Sequence, residues 1–314
     1  MQSNLSISSK VAHDFFPFFK VHEGGNIARY VPIEKTSPYD DPCTGIRSKD
    51  VVISFKPTIS ARIFIPKIQN PTIKLPILVY FHGGGFSLRS AFDPLYHEYI
   101  SSLVKEANII VVSVEYRLAP KHPIPACYDD SWAALQWVTS HANGNDQEPW
   151  LSNHGDLGRI FIGGDSAGAN ISYNLAVRIG SSGLARIKLE GTVLVHPYFM
   201  GVDKLDKMWL YMCPRNDGLE DTRIKATKED LARIGCKRVI VFVAGKDQLR
   251  DAAISFYEEL KKSGWKGKVK IVINEGVGHV FHLFKPRSEQ ALFLMKEFVS
   301  FIKIHEVEVL KSMI

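Results

Sequence analysis

A serine flanked by glycines stands at Gly164-Asp165-Ser166-Ala167-Gly168, the pattern G-x-S-x-G. An apolar run, Ile160–Ile162, leads into it, and an apolar helical pattern over Ala167–Ile179 follows. A strand that turns this tightly into a helix needs small residues at Gly164 and Gly168, so that the two backbones can approach. Such a turn lifts the Ser166 hydroxyl above the sheet and aims the next helix's N-terminus at it. That chemistry is nucleophilic. Glycine and serine are common, and the competing reading makes Ser166 a simple helix cap. The strand–turn–helix context selects the nucleophile.

A second run follows another apolar strand: Leu75–Phe81 ends in His82-Gly83-Gly84-Gly85-Phe86. Three glycines leave backbone N–H groups accessible and let the chain bend toward a ligand. Such donors are what a developing oxyanion requires. Glycines after a strand can also serve only as a turn. Two features of one catalytic device in the expected chain order argue against coincidence.

A serine hydroxyl needs a base to take its proton, and the base needs a partner that fixes its tautomer. In hydrolases of this order the acid and the histidine follow the serine, each after a later strand. Val239–Ala244 ends in Gly245-Lys246-Asp247, which places Asp247 where an orienting carboxylate belongs. Asp251 is the rival, at the start of the next helix. Val269–Ile273 is followed by a glycine-containing stretch that ends in His279. His282 is the rival, in a segment that turns apolar again and suits packing. His82 reads as a brace for the glycine run, and His196 has no acid partner placed for it. The remaining histidines read as surface or local structure. No H-E-x-x-H, paired Cys/His set or acidic calcium loop appears, and the glycines lack nucleotide-binding spacing, so neither metal nor cofactor is implied.

The elements that must hold these residues alternate along the chain. Strands are predicted at Leu75–Phe81, Ile109–Val114, Ile160–Ile162, Gly191–Val195, Val239–Ala244 and Val269–Ile273. Helices are predicted over Pro94–Ala107, Ala126–His141, Ala167–Ile179, Ala252–Ser263 and Ser288–Ile304. Strands rich in Val and Ile are buried on both faces. The alternation predicts an α/β fold, a mostly parallel sheet with helices on both sides. Ligands in such sheets bind at the carboxyl ends of strands, which is where Ser166, Asp247 and His279 all fall. Two short antiparallel strands, broken at Pro57, are predicted between Asp50 and Lys67. Residues 1–49 are turn-rich and read as a segment laid over the main body. Their phenylalanines (Phe15, Phe16, Phe18, Phe19) suit either a lid or core packing.

The 314 residues are 45% hydrophobic and 23% charged, an ordinary globular composition. Lys plus Arg number 39 against 33 Asp plus Glu, a net +6. The basic residues are scattered, and the densest group, Lys261 to Lys270, reads as a solvated face. No nucleic-acid partner is implied. No apolar run approaches the roughly 18 residues of a membrane span. The N-terminus does not resemble a signal peptide. Cys43, Cys127, Cys213 and Cys236 are far apart, which suits reduced thiols and a cytoplasmic location.

Together these residues resemble the plant carboxylesterases, within the hormone-sensitive-lipase-like branch of the α/β-hydrolases. The resemblance spans nearly the whole chain. It rests on Asp41-Pro42 with Thr44-Gly45 and Ser48–Ser54, on His82–Phe86, and on Glu115–Pro120 with His122-Pro123. It rests also on Gly164–Gly168 with Asn170-Ile171, on Gly245–Asp247 with Leu249–Asp251, and on His279–His282. It implies a single α/β-hydrolase domain over 1–314, with an N-terminal cap or lid segment at 1–49. It implies a Ser166–Asp247–His279 triad, an oxyanion hole from the N–H groups of Gly83, Gly84 and Ala167, and no cofactor. Most members of the family are serine esterases acting on small acyl esters. Some resemble 2-hydroxyisoflavanone dehydratase, and a few relatives act as cyclases on specialised metabolites. Others are gibberellin receptors that lack the histidine, so His279 counts against a receptor. One departure stands out. The cap insertion at 197–235 is shortened, with only Met200–Met208 between Phe199 and Trp209. Asp221–Ala226 also stands where relatives tend to carry an Asn-Pro loop.

Overall fold

The structure is a computed structural model that describes residues 10–143, 148–182, 189–200 and 206–312. The predicted alternation is present. In chain order the elements are strands β1 (Val11–Phe15), β2 (Phe19–His22), β3 (Ile27–Arg29), β4 (Arg47–Phe55), β5 (Thr58–Ile65) and β6 (Leu75–Phe81), then helix α1 (Pro94–Ala107). Next come β7 (Ile110–Glu115), α2 (Ala126–Ser140), α3 (Pro149–His154), β8 (Gly155–Asp165), α4 (Ala167–Ser182) and β9 (Gly191–Val195). The chain closes with α5 (Lys207–Met212), α6 (Lys228–Ala232), β10 (Arg238–Ala244), α7 (Arg250–Lys262), β11 (Lys268–Asn274), α8 (Phe281–Phe284) and α9 (Glu289–Ser312).

Eight strands form one sheet in the order β11-β10-β9-β8-β6-β7-β5-β4. From β11 to β7 neighbours run parallel, whereas β5 pairs antiparallel with both β7 and β4. Alternate residues of each central strand point to opposite faces, and each face has its own apolar core. Ile77, Val79 and Phe81 join the core that includes residues of α2, α4 and α7. Leu78 and Tyr80 join the one built with α1 and α9. The α/β-hydrolase architecture expected from the sequence is therefore the one observed.

Three features differ from the sequence reading. Residues 11–29 of the N-terminal segment form a small antiparallel sheet, β1-β2-β3, where only turns were expected. Its strands are three to five residues long, too short to show a period. The short helices α3, α5, α6 and α8 fall below the length at which a helical period is legible. β11 is an edge strand, and Lys268, Lys270 and Ile273 on it face solvent. Residues 1–9, and 201–205 of the shortened stretch, lie outside the described residues.

The order β8-β6 decides what meets at the carboxyl end. Phe81 is in register with Gly164, so the 82–85 run and the Ser166 turn emerge side by side. A Cβ on Gly164 would lie 2.2 Å from the Phe81 carbonyl oxygen, and one on Gly168 would lie 1.9 Å from it. Neither distance is tolerable, so glycine is required at both places. Gly168→Ala is expected to lower the free energy of unfolding by about 3 kcal/mol or more. Urea denaturation checks this, and a variant of wild-type stability would show that the close approach is not required.

Candidate active site

Ser166 sits at the β8–α4 elbow with φ of 52°, a left-handed conformation that a non-glycine residue rarely adopts. The turn is over-determined. Ser166 N–H donates to Val195 O at 2.9 Å, and Ser166 O accepts from Tyr198 N–H and Asn170 N–H at 3.0 and 3.1 Å. The side chain therefore has a fixed origin at the end of the sheet.

Asp247 and His279 reach the same point from β10 and β11. Gly245 N–H donates to Asn274 O, and Lys246 N–H to Val277 O, both at 2.8 Å, so the two loops are laced together. Asp247 is buried, and both its oxygens are engaged. Oδ1 accepts Leu249 N–H at 2.9 Å, and Oδ2 lies 2.6 Å from His279 Nδ1. His279 Nε2 lies 2.9 Å from Ser166 Oγ. With a carboxylate on Nδ1, that nitrogen carries the proton and Nε2 is left to accept from the serine. The His279 side chain is 34% exposed, whereas that of Asp247 is 2% exposed. The rival residues are elsewhere. The Asp251 side chain is 90% exposed and pairs with Arg250. His282 is buried and packs edge-on against Tyr99, with ring centres 4.9 Å apart.

The glycine run is braced from beneath. His82 stacks on Tyr116 at 4.2 Å, its Nδ1 lies 2.8 Å from Gly83 O, and Tyr116 Oη donates to His82 O at 2.6 Å. Of the three predicted oxyanion donors, Gly83 is engaged elsewhere. Its N–H donates to Tyr96 Oη at 2.7 Å, which removes it from a cradle for substrate. The N–H groups of Gly84, Gly85 and Ala167 find no protein acceptor among the described residues.

Sequence reasoning set His196 aside, yet it touches the site. It follows β9, and its Nδ1 accepts the Val280 N–H at 3.0 Å. Val280, next to His279, is held at φ of 44°, so His196 fastens the backbone that carries the base. The signal was available, because His196 follows a central strand as the other site residues do. Among the described residues, His196, Asp247 and His279 have ligand atoms within 4.8 Å of one another, a spacing that could hold a metal. Hydrogen bonds already use Asp247 Oδ2, His279 Nδ1 and His196 Nδ1. Burial holds His196 well below the ordinary imidazole range, and that of His282 down to about 3. Both are neutral around pH 7.

This elbow, base and carboxylate on a β-sheet flanked by helices define an α/β hydrolase. A family described as alpha/beta hydrolase fold matches residues 78–283. The chain is 41% identical to 2-hydroxyisoflavanone dehydratase of Glycyrrhiza echinata, over 96% of this chain and 98% of that one. It is also 41% identical to probable carboxylesterase 1 of Arabidopsis thaliana, over 95% and 99%. Among solved structures it is similar to an esterase of Pyrobaculum calidifontis, with TM-score 0.67 and 27% identity, over 83% of this chain and 86% of that one. The chain belongs to the plant carboxylesterase family, which includes the 2-hydroxyisoflavanone dehydratases. No helix among the described residues is long and apolar enough to cross a membrane.

The buried His282 gives a pH-dependent stability with a definite sign. Below pH 6.5 the unfolded chain takes up a proton that the folded imidazole, at about 3, refuses. Its contribution is therefore complete above pH 6.5 and is lost as pH falls toward 3, by up to about 1.4 kcal/mol per pH unit. His282→Phe keeps an aromatic ring against Tyr99 and removes this term. The stability gap between wild type and variant is expected to shift by about 1.6 kcal/mol in the variant's favour between pH 6.5 and 5. Urea titrations at the two pH values check it, and a gap independent of pH would contradict it.

Proposed function

We propose that this protein is a serine carboxylesterase that hydrolyses small-molecule carboxylic esters. The reading rests on the hydrogen-bonded line from Ser166 Oγ through His279, 2.9 Å and then 2.6 Å, to Asp247. Ser166 Oγ attacks the ester carbonyl carbon while His279 Nε2 takes its proton. Asp247 stabilises the imidazolium that results. The carbonyl oxygen becomes an oxyanion and is held by the N–H groups of Gly84, Gly85 and Ala167, which have no protein acceptor among the described residues. The C–O bond to the alcohol then breaks, and the leaving alkoxide takes the proton from His279. Water, deprotonated by the same imidazole, attacks the acyl-enzyme, and Ser166 leaves with that proton.

In this reading the N-terminal segment and the 197–235 insertion act together as the cap over the substrate. Four unpaired cysteines suit a reducing compartment such as the cytosol.

A second reading is elimination of water from a specialised metabolite, and the likeness to 2-hydroxyisoflavanone dehydratase favours it. His279 would then act as the base and the amides would hold an enolate oxygen, with no acyl-enzyme. The esterase is preferred because a serine poised on the base at 2.9 Å is a nucleophile's geometry, which an elimination does not need. A binding-only role, as in the receptors, leaves an intact nucleophile–base–carboxylate line unexplained.

Ser166→Ala is expected to lower kcat on p-nitrophenyl acetate and butyrate by about 10⁴-fold or more and to abolish labelling by a fluorophosphonate. Asp247→Asn is expected to cost about 10⁴. Product mass decides between the readings. A product lighter than substrate by one water, with turnover intact in Ser166→Ala, would replace hydrolysis with elimination.

A further inference from the structure

Asp165 precedes Ser166 and is buried, 1% exposed. Among the described residues its carboxylate is held by two phenols and no ion pair is seen. Tyr80 Oη donates to Oδ1 at 2.8 Å, and Tyr96 Oη donates to Oδ2 at 2.8 Å. Ionisable groups facing it come from four directions: Tyr80 on β6, Tyr96 and Tyr99 on α1, Tyr116 after β7, and His279 after β11. Burial pushes the Asp165 pKa up to about 6 and those of the phenols upward as well. At neutral pH a carboxylate therefore lies among neutral phenols.

Two bonds give this group a purpose. Tyr96 Oη has one proton. With that proton on the Asp165 carboxylate, the phenol oxygen is left as an acceptor, and it takes the Gly83 N–H at 2.7 Å. A charge-assisted bond polarises the hydroxyl and strengthens the bond it accepts. A Cβ on Gly83 would lie 2.3 Å from Asp165 Oδ2, so only glycine lets the carboxylate come this near. The peptide that enters Gly84 and Gly85 is thereby fixed to the residue beside the nucleophile.

We propose that Tyr96, oriented by Asp165, is a positioning residue for the oxyanion cradle: it ties the glycine run to the serine elbow so that the Gly84 and Gly85 amides stand in fixed register with Ser166. The proposal rests on the esterase reading above. Tyr80 provides the matched control. It gives the same carboxylate one hydroxyl of equal length but makes no bond to the glycine run.

The test compares full-length wild type, Tyr96→Phe and Tyr80→Phe. The readouts are thermal midpoint, kcat and KM on p-nitrophenyl butyrate, and Ki for an alkyl trifluoromethyl ketone, which forms a tetrahedral adduct with a serine. Tyr96→Phe is expected to lower kcat by about 10- to 100-fold, with KM within about threefold, and to weaken the ketone in proportion. Tyr80→Phe is expected to stay within about threefold of wild-type kcat, whatever its thermal midpoint. Wild-type kcat in Tyr96→Phe, or equal kcat losses in the two variants, overturns the positioning role. Should Tyr96→Phe not fold, Asp165→Asn carries the test, because the amide keeps the volume and loses the charge that orients the phenol. A kcat loss at constant KM supports the proposal, and an unchanged kcat overturns it. A wild-type chain without Ser166-dependent turnover overturns the esterase reading first, and the proposal with it.

Discussion

Everything at the carboxyl end of the sheet depends on how closely two backbones meet at the Phe81 carbonyl. Gly164 and Gly168 both abut this oxygen, so β6 and the β8–α4 elbow approach with no side chain between them. A methyl group there would force the strand end and the elbow apart. An oxyanion has to bond amides at about 3 Å while it is covalently attached to the serine, so a separation of that kind is enough to disable the site. Main-chain packing, rather than any rotamer, therefore sets the distance from Ser166 to the glycine run.

The acid–base side of the site works by contrast between like residues. His82, His196 and His282 are fully buried, and desolvation holds all three below the ordinary imidazole range. His279 is partly exposed and faces a carboxylate. Burial thus keeps three of these side chains uncharged, whereas the fourth is hydrogen-bonded to Asp247. The uncharged rings have mechanical roles. His196 accepts the amide next to the base, and His82 braces the glycine run. Fixing both loops through neutral groups places no extra positive charge beside His279, which becomes cationic in the proposed hydrolysis.

Much of this was legible in the sequence because its signals are local. A strand that runs into G-x-S-x-G, another that runs into three glycines, and an acid and a histidine each just after later strands put Ser166, Asp247 and His279 at one sheet end. The structure brings Asp247 and His279 to Ser166, leaves Asp251 exposed and packs His282 on Tyr99. What stayed hidden depends on tertiary contact. Tyr96 lies in the first turn of α1, and nothing in the sequence shows that its hydroxyl takes the Gly83 N–H, one of the amides expected in the oxyanion hole. His196 lacked an acid in sequence because its partner is a backbone amide. The β1-β2-β3 sheet was missed because strands of three to five residues have no period to detect.

The segments proposed above as the cap are joined to the glycine run rather than laid over it. A Cβ on Gly85 would meet Phe18 Cε1 at 2.6 Å and Met208 Cε at 3.2 Å. The turn before β2 and helix α5 thus both press on the glycine run. Phe86, the next residue, packs edge-on against Tyr198 and Trp209. Trp209 in turn donates to Asp221, which Arg223 grips at both oxygens. A change that reshapes the cap for a different substrate therefore also pushes on the amides that would stabilise the transition state. In the proposed esterase, altering the 206–223 stretch moves the donors as well as the walls.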